Sequence, residues 1–373
     1  MRILQLNSGR NYSGEAAHSL NLTEALRQAG HQVWLGLREG FPTIERARAR
    51  ALDPIGFHMP HNWWQPHNVS DTRAIARLVR ENKIDLIHAH RGKDHWLAAI
   101  AIHAFGLHVP LIRTRHVVTP TTPNVANRWL AKRTAAMVSV STAVENGLRS
   151  TQLYPPEKSA LIPGGIDLSL FQPATAPERA AARTELGLPE NARVVVCVAR
   201  LAPIKGHTFL LEAWKEVLAQ FPDARLILVG RGPSDGALKK LAATLQVPAS
   251  VSFLGRRDDV PQILSAADAG VLCSIGSEGF SRAVLEYMAK GLPVVASRVG
   301  AVPDLMQDGI HGALAAMGDA ADLARALRRV LSASAAQRQS WGQTNRQRAV
   351  EKYSYQGWAA AHEQLYRRVL APK

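Results

Sequence analysis

The sequence predicts an α/β protein built from two parallel sheets, each covered on both faces by helices. Three observations carry this. Short apolar runs of strand length alternate with helix-length amphipathic runs along the chain. The 373 residues suffice for two domains of about 150–200 residues each. A Pro- and Gly-rich stretch at 163–192 interrupts the alternation near its middle.

Residues 2–7 read as a buried strand. A Gly-containing loop at 8–14, a helix around 15–29 and a strand at 32–37 complete one βαβ unit. The pattern repeats as helix 70–82 with strand 84–89, helix 94–105 with strand 109–113, and helix 124–134 with strand 136–140. The stretch 163–192 holds P-G-G-I-D-L-S-L-F-Q-P-A-T-A-P, a short helix and L-G-L-P, and reads as an interdomain connection. A second series starts with strand 193–199. It runs through helix 207–220, strand 225–229, helix 235–246, strand 251–254, helix 260–266, strand 269–273, helix 281–290, strand 292–296 and helix 320–332. The tail, Y-S-Y-Q-G-W-A-A-A-H-E-Q-L-Y-R-R-V-L, is an amphipathic helix. Two Rossmann-like halves joined this way leave a cleft, where the ligand of such folds belongs.

Apolar residues make up 46% of the chain, which supports sizeable cores. The net charge is +15 and evenly spread: residues 1–170 carry 20 Lys and Arg against 12 Asp and Glu, the remainder 25 against 18. An even basic excess points to anionic partners such as nucleotide phosphates, anionic lipid heads or nucleic acid. The two cysteines, Cys197 and Cys273, sit in apolar runs and read as buried free thiols of a reducing compartment. The N-terminus enters a strand directly, so no secretory signal is expected. No apolar run reaches the roughly 18–20 residues of a spanning helix. The expectation is a cytoplasmic protein, with the inner face of the plasma membrane as a peripheral location.

The chemistry concentrates in E-G-F-S-R-A-V-L-E, followed by Y-M-A-K-G-L-P-V-V-A-S. Glu278 and Glu286 bracket the first part, and a strand–loop–helix–strand context puts them at a helix start. Phe280 and Ser281 place backbone N–H groups at that helix N-terminus, a ready anion site. This segment resembles the donor-sugar site of retaining GT-B glycosyltransferases of glycosyltransferase family 4 (glycosyl transferases group 1), the family of many bacterial cell-surface enzymes. The resemblance spans nearly the whole chain, is strongest at 193–300 and weakest at 40–70. It implies the GT-B fold, with two Rossmann-like domains whose parallel sheets face across a cleft. The domains implied are 1–170 on the acceptor side, 171–355 for the nucleotide sugar, and a helix at 356–373 crossing back to the first domain.

The resemblance assigns roles residue by residue. In R-L-A-P-I-K-G-H, Arg200 and Lys205 match the family's diphosphate-binding pair. Two cations in a water-poor site suit a leaving diphosphate. Glu286 matches the ribose-binding glutamate. Glu278 matches the one near the sugar ring, which steadies developing positive charge. Gly279, Phe280 and Ser281 complete the donor-binding loop. N-S-G-R-N-Y-S-G resembles the family's N-terminal Gly loop at Gly14, with Ser13 where a second glycine is usual. His116 matches the histidine that faces the reaction centre, and His90 the second histidine of a D-x-x-H-x-H strand.

Eleven of the 14 histidines lie in the first half, which raises a metal site as a rival. His88 and His90 are taken to alternate across the faces of a strand, and no H-E-x-x-H or cysteine cluster occurs. No Asp-x-Asp occurs either, so no metal and no cofactor are expected. The donor expected is a nucleoside-diphosphate sugar, UDP ahead of GDP or ADP, and the acceptor a glycan or lipid-linked molecule of lipopolysaccharide or surface polysaccharide synthesis. Trp63 and Trp64 in a loop, and Arg128, Trp129, Lys132 and Arg133 on one helix, suit an anionic membrane surface. Two rivals remain. G-R-G-P-S-D-G at 230–236 loosely matches a dinucleotide fingerprint and would suit an NADP-dependent oxidoreductase. The charge alone would suit a non-enzymatic nucleic-acid-binding protein.

Overall fold

A computed structural model describes residues 1–371 except 61, 63 and 277. The chain divides into two compact units: residues 1–165 with the segment from Tyr355 onward, and Ile166–Ser354.

The first unit runs β1 (Arg2–Asn7), α1 (Gly14–Gln28), β2 (Gln32–Arg38), α2 (Pro42–Ala49), β3 (Ile55–Phe57), α3 (His67–Glu81), β4 (Leu86–Ala89), α4 (Gly92–Ala104), β5 (Leu111–Arg115), α5 (Val125–Arg133), β6 (Ala136–Ser139), α6 (Thr142–Arg149) and β7 (Ser159–Leu161). Its seven strands lie in the order β3-β2-β1-β4-β5-β6-β7, all parallel. Ile3 stands opposite Val33 on one side and Leu86 on the other. The strand order reverses beside β1, so the carboxyl ends of β1 and β4 border the point where ligands of doubly wound sheets bind.

The second unit holds α7 (Ala176–Glu185), β8 (Val194–Val198), α8 (His207–Gln220), β9 (Arg225–Val229), α9 (Asp235–Thr244), β10 (Val251–Gly255), α10 (Val260–Ser265), β11 (Ala269–Leu272), α11 (Arg282–Ala289), β12 (Val294–Ser297), α12 (Val302–Leu305), β13 (Gly312–Ala315), α13 (Ala320–Ser332) and α14 (Ala335–Tyr353). The sheet order is β10-β9-β8-β11-β12-β13, again parallel. Here the order reverses beside β8. Both faces are buried, which is why β8 reads Val-Val-Val-Cys-Val without polar alternation. Val195 and Cys197 pack into one core, Val194 and Val196 into the other.

The last helix, α15 (Tyr355–Leu370), belongs to the first unit. Trp358, Leu365 and Tyr366 share a core with Ile3, Leu22 and Leu26. Ser354 breaks the long helical tail with extended backbone. Beside it, the Ile166 N–H donates to the Tyr353 carbonyl at 2.8 Å.

Several elements escape the sequence pattern. β3 and β7 are three-residue edge strands, too short for a periodic signal. α2 and α6 have eight residues each, and β13 four. α14 is rich in Gln and Arg and carries no continuous apolar stripe, yet Trp341, Asn345, Ala349 and Tyr353 recur on one buried face.

Candidate functional site

In the second unit the loops after β8 and β11 carry the sequence-predicted residues, and the backbone stitches the two loops together. The Ile275 N–H donates to the Ile204 carbonyl at 2.9 Å, and the Cys273 thiol to the Lys205 carbonyl at 3.1 Å. Gly206 makes this closeness possible. Its φ is +68°, and a Cβ there would overlap the Cys273 carbonyl oxygen. The result is an ion pair between Lys205 Nζ and Glu278 Oε1. The Glu278 side chain is 6% exposed, and the Ser274 hydroxyl donates to the same oxygen at 2.5 Å. Ser274 was not singled out in the sequence; it lies four residues before Glu278, and only the turn between them brings it back.

Gly279 and Ser281 are buried and Phe280 packs partly against the core. Ser281 is the N-cap of α11, but its side chain makes no capping bond. Its buried hydroxyl oxygen has no partner among the described residues. As at any helix start, the first N–H groups have no acceptor within the helix. Glu286 is buried on the first turns of α11 and accepts from Arg282 Nε at 2.7 Å, four residues earlier. Burial holds its carboxyl above the usual range, and Arg282 pulls it part of the way back.

Arg200 is exposed, and its guanidinium has no hydrogen-bond or ion-pair partner among the described residues. Its loop is fixed from the side by the segment after β9. Leu201 N–H donates to the Arg231 carbonyl at 3.2 Å and Ser234 N–H to the Leu201 carbonyl at 3.0 Å. A Cβ on Gly230, whose φ is +146°, would overlap the Ala199 carbonyl. The glycines of G-R-G-P therefore answer a packing need beside Arg200. Cys197 and Cys273 are both buried and free.

In the first unit Gly14 opens α1, exposed, with nothing within 4 Å of where a Cβ would sit. Ser13 is the N-cap. His116 follows β5 directly and is half-buried, and its Nε2 has no partner among the described residues. Burial, with His90 and Arg113 nearby, pushes it well below the usual imidazole range. His88 and His90 do not alternate faces. Their rings stack at 4.8 Å with 19° between planes, as the two-residue period of a strand requires. His88 bonds the Tyr366 hydroxyl at 2.7 Å and Thr114 at 2.8 Å, which makes it a structural link to α15. His18, one helical turn after Gly14, stands edge-on to His116 with ring centroids 4.6 Å apart. Its spacing from Gly14 was the one signal that could have singled it out.

Trp129 of α5 packs rather than projects. It stacks on Trp96 at 5.6 Å with 4° between planes, and Arg133 lies 3.8 Å over its ring. Arg128 and Lys132 are exposed, as is Trp64 at 97%. Trp63 and His61 lie outside the described residues. Among the described residues no helix is long and apolar enough to cross a membrane.

Comparison with known proteins finds two family matches along the chain. Residues 12–170 match the model of a family described as Glycosyltransferase Family 4, and residues 192–333 that of Glycosyl transferases group 1. The chain is similar to N-acetyl-alpha-D-glucosaminyl L-malate synthase of Bacillus anthracis, 25% identical, with 96% of this chain and 94% of that one covered. It is also similar to a phosphatidyl-myo-inositol mannosyltransferase of Mycolicibacterium smegmatis, 28% identical over 84% of this chain and 80% of that one. Among solved structures, a glycosyltransferase from Rickettsia africae superposes with a TM-score of 0.87 at 19% identity, covering 100% of this chain and 99% of that one. Anabaena HepE, solved in complex with UDP and glucose, gives 0.85 at 21% identity and covers 100% of both chains. At such identities the likeness shows the fold, which is GT-B, with its two parallel sheets.

Proposed function

The chain belongs to the group 1 glycosyltransferases of glycosyltransferase family 4, and from that membership we propose that it moves a sugar from a nucleoside-diphosphate donor to a glycan or lipid-linked acceptor, with retention at the anomeric carbon and without a metal. The observation that carries the proposal is the Lys205–Glu278 pair beside the start of α11, the helix that holds Glu286.

On this reading Arg200 and Lys205 take the diphosphate. Charge builds on its leaving oxygen as the glycosidic bond breaks, and two fixed cations lower that cost without reorganising. Arg200 is exposed and unengaged, so its fork of donors is available to phosphate oxygens. The N–H groups of Gly279–Ser281 add to the same anion site. Glu286 accepts from the vicinal hydroxyls of the ribose. Glu278, held by Lys205 and Ser274, takes a hydroxyl of the sugar and steadies positive charge on its ring. In the first unit, Gly14 at the start of α1 approaches the donor phosphate and the acceptor, and His116 after β5 faces the reaction centre, where it bonds the donor sugar or orients the acceptor.

UDP is the nucleotide proposed ahead of GDP or ADP, in keeping with the UDP of the HepE complex. A surface glycan or lipopolysaccharide precursor is the proposed acceptor class, and the inner face of the plasma membrane the proposed place. The phosphatidylinositol acceptor named for one relative and the exposed cations Arg128 and Lys132 support this. The oxidoreductase reading loses its motif, since Gly230 has its own packing reason. Calorimetric titration with UDP, GDP and ADP, followed by turnover with the matching nucleotide sugars, tests the proposal.

A further inference from the structure

His18 on α1, His90 after β4 and His116 after β5 each bring a ring nitrogen to within 4.8 Å of the others. All three belong to the first unit. His18 and His90 are buried and His116 is half-buried, so the cluster is reached from the His116 side. His90 Nε2 lies 2.8 Å from the Gln5 side-chain oxygen. An oxygen accepts only, so Nε2 carries the proton and Nδ1 keeps its lone pair. That Nδ1, and Nε2 of His116, are buried with no hydrogen-bond partner among the described residues. Buried polar atoms without partners are rare enough to need a reason.

We propose that His18, His90 and His116 form a site for a divalent transition-metal ion of the zinc class. Three imidazoles with an acceptor behind one of them are the donor set of open zinc sites, in which the fourth position is left to water or an anion. Gln5 fixes the ring of His90 from outside, as such second partners do. Metal bonds of about 2.0–2.1 Å require the three nitrogens to draw closer than they stand. The His116 ring is half-buried, the least enclosed of the three. Arg113 near His116 opposes a cation and favours an anionic fourth ligand. The sugar-transfer chemistry proposed above needs no metal, and the site shares His116 with it. It bears on that chemistry only in that a bound ion would occupy His116.

The test is titration of tag-free, metal-free protein with Zn²⁺ by calorimetry, and with Co²⁺ by its visible absorption bands. One ion per chain is expected, with the intense bands of four-coordinate cobalt. His18→Ala and His116→Ala should lose at least about 100-fold in affinity, and Gln5→Leu about 10–100-fold. His108→Ala, on an exposed histidine elsewhere, should bind as wild type. Thermal melts without metal identify any variant that fails to fold, and His18→Gln then replaces His18→Ala. No binding by the wild-type chain, or binding that His18→Ala and His116→Ala both retain in full, overturns the proposal.

Discussion

The ammonium of Lys205 is ion-paired with the carboxylate of Glu278, 73 residues further along the chain, and the pair ties the loop after β8 to the loop after β11. Both groups are proposed to contact the donor, and each is held in place by the other.

That pairing makes Lys205 and Glu278 energetically dependent. Lys205→Ala leaves a buried carboxylate with Ser274 as its remaining partner, and should destabilise the second unit by about 1–3 kcal/mol. Lys205→Ala/Glu278→Gln should recover part of the loss, with a coupling of about 0.5–3 kcal/mol in a double-mutant cycle from denaturant unfolding. Additive effects would show that the two do not stabilise each other.

Arg200 should behave differently. It is exposed and has no partner to orphan, so Arg200→Ala should leave the melting temperature unchanged. Turnover should fall by roughly 10²–10³, the scale of losing one preorganised charge-stabilising donor. Wild-type rates in this variant would remove Arg200 from the diphosphate site.

Glu286 should affect both stability and nucleotide affinity. Its carboxyl is raised by burial, so in the folded chain it holds its proton to higher pH than in the unfolded chain. Across that window the folded state binds more protons, and stability falls as pH rises. Glu286→Gln should therefore melt with wild type below the ordinary carboxylate range. It should gain on wild type as pH rises through the window, then hold that gain. The same variant should weaken nucleotide binding more than it lowers turnover at saturation, because the proposed ribose contact would be made before and during reaction. Glu278→Gln should do the reverse. Equal losses of nucleotide affinity in the two variants would contradict the split.

Gly206→Ala tests the stitching itself. A side chain at φ +68° against the Cys273 carbonyl forces the two loops apart. A stability loss of about 1–3 kcal/mol, together with weaker nucleotide binding, is expected from thermal melts and calorimetry. A variant with wild-type stability would mean that the loop tolerates the displacement.

The alternation of strand and helix was legible because the sheet strands are continuous apolar runs, as in Val194–Val198, and helices such as Ala320–Ser332 carry a clear apolar face. The E-G-F-S-R-A-V-L-E segment located α11 and both glutamates for the same local reason. What sequence could not supply was pairing at a distance. Nothing in the chain order says that Lys205 meets Glu278, or that Gly206 is needed to let the Cys273 carbonyl pass. The error over His88 and His90 was of another kind. Two residues apart on a strand means one face, and their stacked rings show it. Histidines from α1, β4 and β5 meet only because β1, β4 and β5 are neighbours in the sheet.

Chelation should not lower sugar transfer, since Arg200 and Lys205 are proposed to do the work that a metal does elsewhere. Rates measured before and after EDTA check this. Loss of activity that a divalent ion restores would give the diphosphate a metal partner instead.

The most direct measurement is calorimetric titration of UDP into the wild-type chain and the Glu286→Ala and Arg200→Ala variants. One UDP per wild-type chain is expected. Affinity should fall at least about tenfold in Glu286→Ala, the scale of one hydrogen bond to a charged group. Failure of UDP, GDP and ADP alike to bind the wild-type chain, or equal UDP affinity in all three proteins, would contradict the assignment of the donor to these residues.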